Sequence, residues 1–451
     1  MIQEKLKKNR YNYKNFISFT VISIGVMVIL TIGLYINNPN IILVAFLFTL
    51  IGMVCTKKEN LFNYILFFIP SANVFKLSPG SFSLYTFISL FALALLISVY
   101  IKYIKYDVKQ LVFIIILLCY SGLHLFNKSF NIYEFIGFFS ILLLLAIFSN
   151  RKNELINVER NSISFIIGVF SSSIAGLILQ NQPQMKAYLD VDTIYIANSF
   201  MSRFVGLNQD PNFYSLQVIV ALSLLITVFI SNNKDTVIAK IMFVTLSSFG
   251  FLSLSKTYLI IWSLIIICWL VSIIMKLTIK KIISLITMLF ILIFINGKYE
   301  FTEKITTFYL LRFGGTNDLD SLTTGRTKIW EDYLVVLHEP SILLFGTGLN
   351  RLIREVSPHN TYLSIIYSFG LIGTILFLLY LIYIARTLKW SNKVSTLRLY
   401  LRVLPLTVYL IFIASIDLLF EDYFMMLFLL LFSVLYIETG KKFIIQNRGE
   451  N

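Results

Sequence analysis

In this 451-residue chain the residues able to do chemistry stand at the edges of long apolar stretches. Arg203 lies in FMSRFVGLNQDPNF, just upstream of Asp210-Pro211-Asn212. Ser255-Lys256-Thr257, Gly325-Arg326-Thr327 and Ser357-Pro358-His359-Asn360 follow in order. Asp and Ser are good N-caps and Pro suits the first helical position, so helices are predicted to open at 211, 257 and 359. A helix N-terminus presents unpaired N–H groups and a partial positive charge, which suits an anion. With Arg203, Lys256 and Arg326 on the same face, these termini would form a cradle for a diphosphate. His359, at the second helical position in this reading, is kept neutral by the helix dipole, as a general base requires. The acidic cluster Asp417, Glu421 and Asp422 is a second source of a base.

Each feature also has a plain structural use. Asp-Pro and Ser-Pro starts are ordinary capping. Lys256 can snorkel at a turn. Arg203 can pair with Asp210, and Arg326 with Glu331 or Asp332 on the helix it precedes. The acidic cluster can be a solvated turn, and His124 and His338 are read as histidines satisfied at an interface.

The elements that must position these residues are membrane helices. Hydrophobic residues make up 57% of the chain and charged ones only 14%, against about half and a quarter in a soluble domain. The apolar runs are about 17–25 residues long, enough to cross a ~30 Å hydrocarbon core at 1.5 Å per residue. Barrel strands would be shorter and would alternate polar with apolar. The sequence therefore predicts an all-α, polytopic helix bundle, one membrane domain over 1–451, with about 12–14 spans. Fourteen are read: 16–36, 40–55, 60–75, 82–101, 110–126, 131–149, 162–180, 211–231, 237–254, 257–275, 281–296, 359–385, 403–418 and 422–438. The third contains Pro70 and is predicted to be bent or half-inserted. The stretch 237–275, ~58 Å long as a helix, must be a hairpin turning near Lys256. The basic N-terminus leads into a full-length span and reads as an uncleaved first helix. Cys55, Cys119 and Cys268 form no CxxC pair, so neither a disulfide framework nor a metal site is indicated.

The net charge of +15 comes mostly from Lys and Arg in short loops, a pattern that orients helices and does not call for nucleic acid. Short loops on the side of the N-terminus hold 26 Lys and Arg against five on the other side, once the seven in the long loop 297–358 are set apart. Both termini are thus predicted cytoplasmic, and the loops 181–210 and 297–358 extracytoplasmic. In the second loop Ile329, Trp330, Tyr333, Leu334 and Leu337 recur at helical spacing, up to Pro340. They predict a helix on the membrane surface with Trp330 at the headgroup level.

Taken together, Arg203-Phe-Val-Gly-Leu-Asn-Gln-Asp210-Pro211-Asn212, Ser253-Leu254-Ser255-Lys256, Gly325-Arg326-Thr-Lys-Ile-Trp330, Phe345-Gly346-Thr347-Gly348 and His359-Asn360-Thr-Tyr362-Leu363 resemble motifs of the O-antigen ligase and polysaccharide polymerase superfamily. The likeness covers about residues 200–385. It implies a metal-independent, inverting glycosyltransferase of the bacterial cell membrane, needing no cofactor, with an extracytoplasmic active site. Its donor would be an oligosaccharide on undecaprenyl pyrophosphate, and its working partners membrane lipids, a flippase and chain-length regulators. Position by position, Arg203 and Arg326 would hold the pyrophosphate and His359 would deprotonate the acceptor hydroxyl. Asp210, Asn212, Trp330, Asn360 and Tyr362 would support them. Lys256 stands where the family has Arg, and an ammonium lacks Arg's bidentate fork.

A polymerase of lipid-linked repeat units is the first expectation. A ligase that moves finished glycan to a lipid core or protein shares the same site. A transporter or flippase would instead need ionisable residues deep in several spans and half-helices at the midplane. Most spans here carry no charge in their centres.

Overall fold

The computed structural model describes residues 2–100, 108–126, 132–150, 157–189, 193–196, 199–230, 237–274, 325–348, 356–387, 396–419, 421 and 423–435. The expected span at 281–296 and most of the loop that follows lie outside them. Helices α1 (Ile2–Ile36) and α2 (Pro39–Cys55) form a hairpin turned by Asn37 in the left-handed region and capped by Asn38. After α3 (Leu61–Phe68) come α4 (Leu84–Tyr100), α5 (Val108–Gly122), α6 (Ile132–Asn150) and α7 (Val158–Leu179). A short hairpin, β1 (Thr193–Ile196) and β2 (Ser199–Ser202), is the one departure from an all-helical chain among the described residues. The second half comprises α8 (Pro211–Leu224), α9 (Val237–Leu252), α10 (Lys256–Ile274), α11 (Arg326–Leu337), α12 (Pro340–Phe345), α13 (Thr361–Thr387), α14 (Thr396–Phe412) and α15 (Phe424–Val434).

Among the described residues, four helices are long and apolar enough to cross a membrane: 16–36 in α1, α7, α8 with its π-helical extension to 228, and α13. The bundle wears its apolar residues outside as well as inside. Val28, Ile32, Leu47, Phe48, Ile51, Ile241, Val244, Ile260, Ile267, Ile375 and Leu378 are all exposed. A protein in water does not present so much contiguous apolar surface, so the solvent of this one is lipid.

The third predicted span resolves into the eight residues of α3 and a 3-10 turn, Ile69–Ser71, all of them buried. It is too short to cross a bilayer and is enclosed by protein, where broken backbone is tolerated. What admits it is a row of small residues at i, i+4 and i+8 on α7. A Cβ on Gly168 would lie 2.2 Å from the Phe67 carbonyl, and one on Gly176 2.5 Å from Gly206 Cα. Between them Ser172 Oγ donates to the Pro70 carbonyl and accepts from Leu207 N, both at 3.2 Å. One face of α7 thus seats both the half-helix and the loop that follows Arg203.

α13 is also broken. Gly370, at φ 62° and ψ −177°, divides it into a nine-residue segment, 361–369, and a longer one. The break robs carbonyls of their helical donors, and the segment Phe345-Gly346-Thr347-Gly348 supplies replacements. Thr347 N donates to Tyr367 O at 2.9 Å and Gly348 N to Ser368 O at 3.0 Å. Gly346 and Gly370 face one another so closely that a Cβ on Gly346 would lie 2.5 Å from Gly370 N.

Candidate active site

The polar residues singled out in the sequence gather at one end of the bundle. Hydrogen bonds tie the connections there to one another: Gln184 to Tyr35 O, Asn73 to Asn208, Arg203 to Ser253 O and Ser357 to Asp417. The opposite end has its own links, Thr227 to Leu401 O and Tyr400 to Cys268 O.

One wall is the loop 203–212 and the turn between α9 and α10. Asp210 caps α8 as its sequence predicts, accepting from Asn212 N at 2.5 Å and Phe213 N at 3.3 Å. Arg203 is only 5% exposed. Its Nε donates to Ser253 O at 3.0 Å and one Nη to Asn212 Oδ1 at 3.2 Å. Ser255 Oγ donates to the same Asn212 oxygen at 3.0 Å. The turn that presents Ser253 O is tight, with Leu254 at φ 56°, and α10 starts at Lys256. Gly206, at φ 58°, lets the loop pass under the Tyr214 ring, which a Cβ there would meet at 2.5 Å.

The other wall is α11 and the approach to α13. Arg326 opens α11 behind Gly325, whose φ of 81° makes the turn. The predicted face is real, but it packs on protein. Tyr333 and Leu337 are buried against Tyr367, with Ile329, Leu363 and Ile366 around them. Leu334, expected on that face, is 52% exposed, and Trp330 donates its indole N–H to Pro358 O at 2.9 Å, an internal contact. Pro340 does not merely stop α11; it opens α12.

The start of α13 differs from the Ser-Pro reading. Asn360 is the cap, its Oδ1 accepting from Tyr362 N at 3.0 Å and Leu363 N at 3.2 Å. His359 therefore precedes the helix and adopts φ 48°, a left-handed conformation that costs a non-glycine residue about 1–3 kcal/mol. The neighbours over-determine it. His359 N donates to Ser357 Oγ at 3.4 Å, Ser357 Oγ donates to Asp417 Oδ2 at 2.9 Å, and Tyr333 Oη donates to Val356 O at 2.7 Å. Thr361 Oγ1 donates to Ile416 O and accepts from Leu418 N. Tyr362, half exposed, reaches Leu410 O. Asp417 is buried, so it is not the solvated turn residue that its cluster suggests. His338 is exposed, whereas His124 is half-buried and bonded to Phe345 O.

Electrostatics joins the two walls. Burial pushes the Arg326 guanidinium below its ordinary pKa, and the Asp210 carboxylate opposes that. Burial also lowers His359; Arg326 lowers it further, while Asp210 and Asp417 pull it back up. His359 is therefore neutral for the reason of enclosure beside a cation, and not through a place inside a helix. Glu331 and Asp332 are exposed, and the carboxylate felt by Arg326 is Asp210.

No family model, curated protein or solved structure matches this chain.

The arrangement itself puts Arg326, His359, Asp210 and Asp417 within electrostatic reach of each other at one end of an apolar bundle. Among the described residues no hydrogen-bond acceptor is found for the Arg326 guanidinium, and no group of three His, Cys, Asp or Glu could hold a metal ion. Asn73 and Asn208, bonded at 2.8 Å, carry no pattern that a single sequence would flag.

Proposed function

We propose that the protein is a polymerase of lipid-linked oligosaccharide repeat units, for capsule, exopolysaccharide or O-antigen, acting as a metal-independent inverting glycosyltransferase. On this reading the spans number about 12–14, the termini are cytoplasmic, and the site faces the outside of a bacterial cell membrane. The observation that carries it is a half-buried guanidinium with spare donors beside a neutral imidazole at a bundle end. A cation whose donors meet no acceptor among the described residues is suited to an anion, and an imidazole kept neutral can take a proton.

The donor, a glycan on undecaprenyl pyrophosphate, arrives already activated. The acceptor sugar hydroxyl attacks the anomeric carbon from the face opposite the phosphate, and His359 Nδ1 or Nε2 takes the hydroxyl proton. The C–O bond to phosphate breaks as the new glycosidic bond forms, and the pyrophosphate leaves on its lipid with the electron pair. Negative charge on that leaving group grows toward the transition state, so Arg326 binds it more strongly there than in the ground state. Lys256, at the start of α10, adds a point charge on the other wall. A positioned base contributes ~10²–10⁴-fold.

A ligase would use the same residues and differ only in acceptor. The transporter reading gains two broken helices, α3 and α13. Yet beside Gly370 the Tyr367 and Ser368 carbonyls accept from Thr347 and Gly348, which argues against that break as a substrate site. Purified protein in liposomes, supplied with lipid-linked repeat units, separates the three. A ladder of lengths is expected; a single product on a different acceptor would make it a ligase, and no new bond would end the transferase reading.

A further inference from the structure

The motifs that resemble a transferase all lie after residue 200, and nothing in the sequence gave the first half a task. Tyr120, near the end of α5, supplies one. Its hydroxyl lies 2.7 Å from Phe369 O and 2.9 Å from Phe345 O, in contacts that span more than two hundred residues. A hydroxyl has one proton to give. The shorter of the two contacts is the one to Phe369 O, and the His124 ring, just beyond α5, also bonds Phe345 O. The Phe369 carbonyl belongs to the residue just before the break at Gly370, next to the Tyr367 and Ser368 carbonyls that Thr347 and Gly348 serve. The seat is tailored: a Cβ on Gly373 would lie 2.4 Å from the Tyr120 ring, and one on Gly348 2.2 Å from His124 Cβ.

What Tyr120 holds is the unit formed by α11, α12 and the first segment of α13. That unit is internally packed through Tyr333 and Tyr367, whose rings are 5.0 Å apart, and through Trp330 and Pro358. Arg326 and His359 both ride on it. Arg203, Asn212 and Ser253 belong to the other wall. The geometry points to Tyr120 as a positioning residue that fixes the unit bearing Arg326 and His359 against the rest of the bundle. It touches no substrate, and its catalytic part rests on the transferase reading above.

The test has an arm that needs no turnover. With Cys55, Cys119 and Cys268 changed to Ser, spin labels go on Glu331→Cys in α11 and Lys186→Cys beyond α7, both exposed positions. Tyr120→Phe keeps the ring and removes the hydroxyl. Pulsed electron-spin distances in nanodiscs should broaden relative to the parent, with size-exclusion behaviour unchanged. Gly346→Ala, which wedges the same junction from the other side, should broaden them too. An unchanged distribution in both variants overturns the proposal whatever the enzymology shows. In the transfer assay Tyr120→Phe should lower kcat about tenfold, since small misplacements of catalytic groups are costly. It should also move the acid limb of the pH profile down, as Asp210 on the other wall, which raises His359, drifts from the unit. Broadened distances with an unmoved profile would refute the catalytic part, and a parent protein that makes no bond refutes the transferase reading alone.

Discussion

The two walls of the site treat their arginines in opposite ways. On the α8–α10 wall, Arg203 is almost fully enclosed, and its donors go to Ser253 O and Asn212 Oδ1. On the α11–α13 wall, Arg326 is half-buried, and the only interactions found for it among the described residues are those with Asp210 and His359. Two residues that look equivalent in sequence thus stand in different surroundings. Arg203 welds a loop to a turn, presenting the α8 N-terminus and Lys256 at a set spacing. On the proposed reading, Arg326 keeps its fork for the pyrophosphate.

The largest test of that contrast lies on the second wall. His359→Ala should abolish transfer while membrane insertion and detergent behaviour stay normal, because the side chain is beside the cation and no hydrogen bond from it is found among the described residues. Retained turnover would move the base to Asp417, Glu421 or Asp422. Next in size is the arginine pair itself. Arg326→Gln should cost about 10²–10³-fold in kcat/KM with an unchanged melting temperature, the range seen when one transition-state donor is removed. Arg203→Gln should do the reverse in kind, lowering the melting temperature, since each buried acceptor left without its donor costs roughly 1–3 kcal/mol. If Arg203→Gln were as stable as the parent and only slower, the division of labour drawn here would be wrong.

A smaller effect should separate seating from chemistry. Gly176→Val drives a side chain into the Gly206 backbone, so it should destabilise the protein and reduce transfer together. Thermal stability measured alongside activity checks this. A variant stable but inactive would mean that α7 contributes more than a seat.

These contrasts also mark how far the sequence could be read. Asp210-Pro211 was legible because capping is local chemistry, and the structure uses it as read. The turn before Lys256 was legible because an uninterrupted helix there would outrun any bilayer. The start of α13 was not, because Ser-Pro and Asn both make good caps and a tertiary contact decides between them: Ser357 is drawn to Asp417, leaving the cap to Asn360. The face of α11 was read correctly except for Leu334, and its partner was not. Periodicity says which residues are covered, and nothing in it says whether lipid or α13 covers them. The break at Gly370 and the plug from 345–348 depend on contacts between distant segments, which spacing along one stretch cannot show.

The finest distinction concerns protons. His359 is lowered first by burial and then by Arg326, while Asp210 and Asp417 oppose the shift. A base must be neutral to act, so the acid limb of kcat should fall below the ordinary histidine range near pH ~6.5. Removing the cation with Arg326→Gln takes away a lowering influence, so the limb should move to higher pH. Removing a carboxylate with Asp417→Asn takes away a raising influence, so the limb should move to lower pH. The same depressed value bears on stability. A histidine buried neutral favours the folded state above its unfolded pKa, and that contribution is lost as pH falls through the folded value. Kinetic pH profiles of the two variants test the pair of signs. Shifts in the same direction would place the titrating group elsewhere than His359, whereas opposite shifts tie the acid limb to the residue lying between the cation of one wall and the buried carboxylate behind it.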